Sequence, residues 1–399
     1  MKFVLAPDSF KESMTALQAV GAMERGVRVV FPDAICVGVP MADGGEGTTN
    51  ALVASMGGTF LDVHVHDCLG RPVTARYGYV ASEQLAIIEI AAAAGLDLIP
   101  AQDRDPRITS TFGVGEMILD AINRGARTFV VGLGGSATND GGAGMLQALG
   151  ARLLDATDGA LAGGGAALVG LKRIDLSGWD PRLAACRFRV ASDVTNPLLG
   201  PEGASYIFGP QKGADAATVR DLDAALDVFA QVVAATTGRD VASCAGAGAA
   251  GGLGAAFLAF FEAEMHRGVD VVMDAAHLAD KITGADFVLT GEGALDSQTI
   301  RGKTPFGVAQ AAIAHGVPVI AFSGRVDIGA EVLYSHGFAA LVPIVQTVSD
   351  LPSALAAGPE NLERAVATTC RLLALGKSAT VAANSSGGRD DNTATTTPN

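Results

Sequence analysis

Aromatic side chains are scarce in this chain of 399 residues: they make up 5% of it, and only one is a tryptophan. Glycine, by contrast, occurs 51 times, and hydrophobic residues reach 49%. Small residues allow helices to pack closely on sheets and allow backbone to approach a ligand in tight turns. The composition therefore favours an α/β protein, and the length predicts two domains.

Cysteine is also scarce. The five thiols are scattered and form no CxxC pair, which excludes a disulfide framework and a structural zinc site. GxSxG and HExxH motifs are absent, so hydrolase and zinc-protease chemistry has no support. The amino-terminal residues become polar too early for a signal peptide, and no uncharged apolar run approaches the roughly 20 residues of a membrane span. A cytoplasmic protein is expected.

Positive charge is the third deficit. Lysine and arginine total 28 against 42 acidic residues, which gives a formal net charge of −14. Such a surface repels phosphate backbones and anionic lipid, so we expect neither a nucleic-acid nor a membrane partner. Only seven of the basic residues are lysines, and Lys11, Lys212 and Lys303 lie in segments rich in glycine, proline or serine. A compact ammonium in such a loop suits a phosphate or a carboxylate.

Strands and helices alternate at both ends of the chain. The first 66 residues hold three predicted strands (3–6, 35–39 and 61–66), which is too little for an independent domain. We therefore expect them to share one parallel sheet with the carboxyl-terminal part. The predicted organisation is a discontinuous domain (1–70 plus 286–375), an inserted α/β domain (71–285) and a disordered tail (376–399).

The loop after the first predicted strand contains Asp8, Ser9 and Lys11. Helix capping by Asp8 or Ser13 is the alternative to a functional role. Capping does not account for a lysine near a helix amino terminus, because the helix dipole disfavours a cation there unless an anion binds. We expect the loop to be functional.

The loop after the second predicted strand places Asp43 and Glu46 around a glycine pair. The two residues are spaced as in a capping box, which is the structural alternative. Two such carboxylates could also bind Mg²⁺, or one could accept a proton from a substrate hydroxyl. We expect function here as well.

The strongest candidate for a phosphate site is the glycine-rich segment 132–142, which follows a strand and leads into a helix. Backbone N–H groups of such a turn form an anion cradle at a helix amino terminus. The segment also fits the dinucleotide pattern GxGxxA, with Asp155 at about the distance of a ribose-binding acid. That match is weak, because a second glycine pattern at 246–251 fits equally well without a preceding strand.

Further polar loops follow later strands, at 192–197, 208–213, 290–296 and 301–305. Thr304 and Pro305 are typical of the first residues of a helix, which puts Lys303 at a helix amino terminus. The Gly-Lys-Thr triplet there is not a Walker A motif, because Ser297 occupies the position of the first glycine.

Six of these segments together resemble the bacterial glycerate kinase type-1 family. They are, in chain order, APDSFKES, PMADGGEGT, GLGGSATNDGGAGMLQALG, SDVTNPLLG, FGPQKGA, and TGEGALDSQT followed by GKTP. The resemblance implies two α/β domains: a discontinuous Rossmann- or flavodoxin-like parallel-sheet domain and an inserted mixed α/β domain, with the active site in the cleft. It also implies transfer of the γ-phosphate of ATP, with Mg²⁺, to D-glycerate in glycerate or glyoxylate catabolism. The product expected first is 2-phosphoglycerate.

Phosphoryl transfer requires positioning and charge neutralisation more than covalent chemistry. On the resemblance, the predicted catalytic residues are Asp43 as the base, Lys11, Lys212 and Lys303. The predicted substrate-binding residues are Asp8, Ser9, Lys11, Glu46 and Arg325. The predicted nucleotide-binding residues are Gly134, Gly135, Ser136, Thr138, Asn139 and Asp140. The predicted metal ligands are Asp193, Glu292 and Asp296.

Two other functions stay open at this point. An oxidoreductase that uses NAD(P) at the 132–142 segment would leave the lysine- and carboxylate-bearing loops without a role. A non-catalytic sensor of sugar acids would be expected to carry an effector or DNA-binding module, and no basic module is evident. The sequence leaves open the phosphorylated hydroxyl, the nucleotide preference, which carboxylate is base or metal ligand, and whether the chain forms a homodimer.

Overall fold

The computed structural model describes residues 1–386, and its β-strands form three sheets. In chain order the strands are β1 Lys2–Leu5, β2 Ile35–Gly38, β3 Thr59–His66, β4 Pro72–Val80, β5 Leu85–Glu89, β6 Thr128–Gly132, β7 Arg152–Leu154, β8 Arg173–Asp175, β9 Arg187–Ala191, β10 Glu262–His266, β11 Phe287–Leu295, β12 Val319–Val326 and β13 Phe338–Pro343.

The α-helices connect these strands. In chain order they are α1 Ala16–Arg28, α2 Thr48–Met56, α3 Ala91–Ala94, α4 Phe112–Asn123, α5 Ala143–Ala148, α6 Ala204–Phe208, α7 Ala216–Thr237, α8 Ala249–Phe260, α9 Gly268–Ala275, α10 Leu278–Ile282, α11 Thr304–Ala314, α12 Leu351–Ala356 and α13 Gly358–Ser386. Short 3₁₀ turns include Pro210–Lys212 and Ala330–His336, the second where a regular helix could be expected from the sequence.

The first sheet is entirely parallel and has the order β13-β12-β11-β1-β2. It joins the two ends of the chain, since β1 pairs with β11 over Phe3–Leu5 and Phe287–Leu289. The prediction that the amino- and carboxyl-terminal parts share one parallel sheet is confirmed. All five strands point the same way, so their carboxyl ends lie along one edge.

The second sheet is mixed and has the order β10-β9-β6-β5-β4-β3. β3 pairs antiparallel with β4, and β4 with β5, while the remaining pairs are parallel. The expectation that the predicted strand 61–66 belongs to the first sheet is therefore wrong. A short turn at 67–71 allows β3 to fold back directly on β4, and this local pairing replaces a crossover to the first sheet.

The sequence predicts no helix or strand between α7 and β11, yet this region forms α8, β10, α9 and α10. Its alanine- and glycine-rich composition has little amphipathic contrast, so the usual period of a helix is not visible. α8 contains a kink in which Gly251 and Gly252 adopt positive φ. β10 extends the second sheet beside β9.

Three buried apolar clusters hold these layers together. One packs α1 and α13 on one face of the first sheet and includes Phe3 and Leu362. One packs α4, α5 and α8 against the second sheet and includes Phe129. The third is shared by the two sheets, since it contains Val4 and Val288 from the first and Val130 from the second. Because apolar burial is the main stabilising term, this shared cluster fixes the two sheets next to each other.

The last helix continues to Ser386, beyond the predicted start of the disordered tail at residue 376. The remaining tail residues, 387–399, lie outside the described part of the chain.

Candidate active site

Most of the residues singled out in the sequence follow the carboxyl ends of parallel strands. Asp8 comes after β1, Asp43 after β2 and Asp193 after β9, while the glycine turn 132–136 begins at the end of β6. Open α/β sheets bind ligands at this edge. The two sheets turn these edges towards each other, because the loop after β2 packs directly on the loop after β6.

The contact between these loops is closer than side chains would permit. A Cβ on Gly132 would lie 2.5 Å from the carbonyl oxygen of Gly44, and one on Gly44 would lie 2.8 Å from the Cβ of Ala191. A Cβ on Gly268 would meet the carbonyl oxygen of Asp43 at 1.5 Å. Glycine at these positions therefore lets three backbone segments meet at Asp43.

A cavity of about 300 Å³ lies at this junction. Its lining residues are Asp43, Gly44, Gly45, Leu133, Gly134, Gly135, Ser136, Ala191, Ser192, Asp193, Val194, Phe208, Gln211, Lys212, Ala249 and Ala250. The cavity thus brings together a carboxylate of the first sheet with a glycine turn, a carboxylate and a lysine of the second.

Asp43 does not have a capping role. The helix after it, α2, begins at Thr48 with Gly47 as its N-cap and no side-chain cap bond. Glu89 instead accepts the N–H of Thr49 in the first turn of α2, at 2.7 Å. Asp43 Oδ1 accepts the Gly45 N–H at 3.0 Å, which fixes the carboxylate at the cavity wall.

The glycine turn divides into two parts. Gly134, Gly135 and Ser136 line the cavity, and Gly135 adopts φ +73°, which glycine accepts without strain. The next predicted nucleotide-binding residues, Thr138, Asn139 and Asp140, are fully buried and do not line it. The chain turns inward after Ser136, so a role of these three residues in nucleotide binding stays a prediction.

Asp140 holds the inward part of this turn in place. Its carboxylate accepts the N–H and the hydroxyl of Thr111 at 2.8 and 2.9 Å, and the N–H groups of Gly142 and Gly144 at 3.1 and 3.2 Å. Burial raises the pKa of Asp140, and these hydrogen bonds act in the opposite direction. The residue joins the amino termini of α4 and α5, which is a structural role.

Lys212 is the cation of the cavity. Its side chain is 1% exposed, and Nζ donates to Ser136 Oγ at 2.9 Å and to the Thr138 carbonyl at 2.6 Å. Burial lowers its pKa to about 7, and the nearby charge of Asp140 opposes that shift.

Asp193 also lines the cavity. Its Oδ1 accepts the Gly268 N–H at the start of α9, at 2.9 Å. Partial burial of the carboxylate in the cleft raises its pKa, and the negative charge of Asp43 adds to the shift. Asp43 and Asp193 are therefore electrostatic neighbours that project from different sheets.

A second polar group, which we call the β1–β11 cluster, consists of Asp8, Glu292, Asp296, Lys303 and Thr304. Lys303 Nζ lies 3.6 Å from a carboxylate oxygen of both Glu292 and Asp296. Thr304 donates its hydroxyl to Asp8, so it does not cap α11 as predicted from the sequence. Asp43 links this cluster to the cavity, since its charge also acts on Asp8.

Two carboxyl groups of this cluster have a raised pKa. Burial raises the pKa of Asp8 to about 6 and that of Glu292 to about 7. Glu292 Oε1 is buried and makes no hydrogen bond among the described residues, and its charged partner is the Lys303 ammonium at 3.6 Å. Burial of an acceptor without a hydrogen bond is costly.

A model of the Glycerate kinase family matches residues 3–374. The chain belongs to the glycerate kinase family. It is 48% identical over 362 residues to a glycerate kinase of Halalkalibacterium halodurans, and the aligned region covers 91% of this chain and 95% of the relative. It is 46% identical over 376 residues to the glycerate 2-kinase of Escherichia coli K12, and the aligned region covers 94% of this chain and 99% of the relative. A crystal structure from Salmonella typhimurium LT2, assigned as a glycerate kinase 2, matches with a TM-score of 0.88 and 46% identity over 95% of this chain and 99% of that one.

Membership of the glycerate kinase family confirms the resemblance read from the six segments and the prediction of a kinase. A kinase family implies the use of ATP. The oxidoreductase alternative requires Asp155 as a ribose-binding acid. Asp155 instead accepts the N–H groups of Thr157 and Gly159 in a local turn. The second glycine pattern is structural: a Cβ on Gly251 would lie 2.0 Å from the Thr138 carbonyl. No helix among the described residues has the length and apolar character needed to cross a membrane.

The predicted substrate-binding residues of this family member are not all in one place. Ser9 donates its N–H to Asp8 at 2.6 Å, whereas Lys11 and Glu46 are exposed and outside the cavity lining. Arg325 is also exposed, and its guanidinium is paired with Asp327 at 2.9 Å. The helix after Lys11 begins at Ala16, where Thr15 forms a capping box with Gln18, so neither Asp8 nor Ser13 caps it.

The three predicted metal ligands are not gathered into one site. Asp193 lines the cavity, whereas Glu292 and Asp296 flank Lys303 in the β1–β11 cluster. Within residues 1–386, no three His, Cys, Asp or Glu side chains are grouped so that they could hold a metal ion. Lys303 forms ion pairs with Glu292 and Asp296 at 3.6 Å, and its ammonium opposes their negative charge.

Several residues of the cavity and its surroundings were not assigned a role at the site from the sequence. Gln211, Phe208 and the Ala249–Ala250 pair complete the cavity, and Thr304 fixes Asp8. Only the FGPQKGA segment, in which Gln211 precedes Lys212, carried a local signal. The contact between Thr304 and Asp8 joins distant parts of the chain and has no local pattern.

Replacing Asp8 with asparagine is expected to raise the free energy of unfolding at pH 7. The carboxyl has a pKa of about 6 in the folded protein against 3.8 as its ordinary value, so its ionisation opposes folding. A shift of two units corresponds to about 3 kcal/mol, which is the upper value of the gain. Asparagine keeps one oxygen to accept the Ser9 N–H, and its amide N–H can donate to the Thr304 hydroxyl.

Urea unfolding at a series of pH values tests this expectation. The difference between Asp8→Asn and wild type should be near zero below the ordinary pKa, grow as the pH rises through about 6, and then level off. Asp240→Asn is a matched control, because Asp240 is exposed and accepts only the Ala242 N–H. A gain that is equally large at pH 4 and pH 7.5 would contradict the assignment.

Proposed function

We propose that this protein transfers the γ-phosphate of ATP to the 2-hydroxyl of D-glycerate and forms 2-phosphoglycerate. The observation that carries the proposal is the single cavity in which Asp43 of the first sheet faces Lys212, Asp193 and the Gly134–Ser136 turn of the second. The name of the Escherichia coli relative, glycerate 2-kinase, supports the position of transfer.

ATP fits the hydrogen-bond donors in the part of the cavity that the second sheet forms. Backbone N–H groups of Gly134, Gly135 and Ser136 can cradle phosphate oxygens, and the Lys212 ammonium adds the positive charge that a triphosphate requires. Val194, Phe208 and the Ala249–Ala250 pair give this side of the cavity an apolar wall on which a nucleoside can lie. Nucleotide binding is therefore assigned to the second sheet.

Mg²⁺ fits a carboxylate on this side of the cavity. Mg²⁺ in kinases is commonly bound by one or two carboxylates together with substrate phosphates, so a cage made of protein alone is not required. Asp193 provides a carboxylate ligand that lines the cavity. The bound ion would neutralise charge on the phosphates. Glu292 and Asp296 are assigned to holding Lys303 instead of the metal.

Glycerate is assigned to the first-sheet side, between Asp43 and the β1–β11 cluster. Asp43 accepts the proton of the attacking hydroxyl, since Gly45 holds one carboxylate oxygen and leaves the other for the substrate. Lys11, which forms no ion pair among the described residues, supplies the positive charge that a substrate carboxylate needs. Arg325 is already engaged by Asp327, so it is not given a role in this step.

Glycerate-dependent release of ADP tests the proposal. Purified protein with ATP and Mg²⁺ should release ADP at a rate that saturates with D-glycerate and that is much slower with L-glycerate or lactate. Lactate retains the 2-hydroxy acid and lacks the 3-hydroxyl, so it measures how far the second hydroxyl is recognised. Absence of ADP release with either enantiomer of glycerate would sink the substrate assignment.

A further inference from the structure

Lys212 has an unusual environment for a cation. Its side chain is almost wholly buried, yet both acceptors of Nζ, the Ser136 hydroxyl and the Thr138 carbonyl, are neutral. Among the ion pairs of residues 1–386 none involves Lys212. Two hydrogen bonds also leave one of the three ammonium protons without an acceptor among these residues.

A buried ammonium without a counter-charge is strongly disfavoured, and such a group commonly loses its proton instead. The pKa of Lys212 is lowered to about 7 by burial. Asp140 is the charged group that opposes this shift, and it is committed to Thr111, Gly142 and Gly144 through four hydrogen bonds. Near neutral pH the amine is therefore close to balance between its two forms.

We propose that nucleotide binding and protonation of Lys212 are one linked event. The triphosphate that enters the cavity supplies the missing counter-charge, and the neutral amine takes up one proton from the solvent buffer to become an ammonium. No other bond forms or breaks. The inference rests on the proposed function to the extent that ATP must bind beside Ser136 and Lys212.

Two consequences follow from the linkage. Proton uptake on binding should grow with pH, from a small fraction at pH 6 to roughly half a proton at pH 7 and nearly a full proton at pH 8, for a group with a pKa of about 7. The dissociation constant of the nucleotide should then rise towards about tenfold per pH unit above that value. Arginine at position 212 keeps its charge at every pH and removes the linkage.

Isothermal titration calorimetry measures the uptake directly. The Mg²⁺ complex of an ATP analogue with a β,γ-imido bridge is titrated without glycerate at pH 7.5, in buffers that differ in ionisation enthalpy. The slope of binding enthalpy against buffer ionisation enthalpy gives the number of protons. Asp43, Asp193 and the analogue itself can also exchange protons, so the quantity that decides is the difference between wild type and Lys212→Arg.

On binding the nucleotide analogue, wild type should take up at least about half a proton more than the Lys212→Arg variant does. Lys281→Arg is the matched control: burial also lowers the pKa of Lys281, but this lysine donates to the Ser55 carbonyl and does not line the cavity. It should retain the wild-type slope. Equal slopes for wild type and Lys212→Arg would overturn the linkage.

The test remains decisive if Lys212→Arg does not fold. The affinity of wild type alone, measured from pH 6 to pH 9, should fall with pH above about 7. A flat profile would overturn the inference. Absence of any nucleotide binding by wild type would instead contradict the proposed function, so the two failures are distinguishable.

Discussion

Replacing Asp43 with asparagine is expected to lower kcat by about 10²- to 10⁴-fold, the usual contribution of a general base. Asparagine has the same shape and still accepts the Gly45 N–H, so the loop and the packing of Gly44 on Ala191 should be unchanged. The loss arises because a neutral amide cannot take the proton of the substrate hydroxyl. Steady-state kinetics with ATP and glycerate measure the effect.

Asp240→Asn is the matched control for this variant as well. Asp240 is an exposed aspartate that accepts the N–H two residues later, as Asp43 does, and it lies outside the cavity lining. Its substitution should leave kcat within a factor of two. An Asp43→Asn enzyme with nearly wild-type kcat would remove Asp43 from the role of base.

Replacing Lys212 with methionine is expected to lower kcat/KM for ATP by about 10²- to 10³-fold, the effect of removing one strong electrostatic contact to the transferred group. The fold should tolerate the change. Methionine fills a similar volume, and the loss of two hydrogen bonds is opposed by removal of a buried charge without a partner. The free energy of unfolding should therefore change by less than about 2 kcal/mol.

Lys281→Met is the control for burial without function. Lys281 is a partly buried lysine with a lowered pKa in α10, and it does not line the cavity. Its substitution should leave kcat/KM unchanged. If Lys212→Met unfolds at a much lower urea concentration than wild type, the lysine has a structural role, and the kinetic loss no longer identifies it as a phosphate contact.

Sequence reasoning located the loops of the site because each follows a strand whose apolar run is easy to recognise. Asp43, Asp193, Lys212 and the Gly134–Ser136 turn were all predicted to be functional, and all line one cavity. The carboxyl ends of parallel strands must meet at one edge, so local pattern and topology were enough for this part.

Which residues of a loop face the cavity and which are buried could not be predicted from the sequence. Ser136 and Asp140 lie in the same glycine-rich run, but one faces the cavity and the other is buried under it. The difference depends on Thr111 of a distant segment, whose N–H and hydroxyl draw the Asp140 carboxylate inward. The composition of the loop does not show which of the two residues faces the cavity.

Long-range pairings explain the remaining differences. β3 was assigned to the wrong sheet because its alternation of apolar and polar residues is satisfied equally well in either. Thr304 has the properties of a helix cap, but its hydroxyl is taken by Asp8 at the other end of the chain. Lys303 neutralises two carboxylates that a sequence pattern would assign to a metal ion.

The most direct test of phosphoryl transfer to the 2-hydroxyl couples the reaction to enolase in the absence of any phosphoglycerate mutase. With ATP, Mg²⁺ and D-glycerate, phosphoenolpyruvate should form at once and in proportion to ADP, because enolase acts on 2-phosphoglycerate directly. ADP release without phosphoenolpyruvate would contradict transfer to the 2-hydroxyl and identify the 3-isomer as the product.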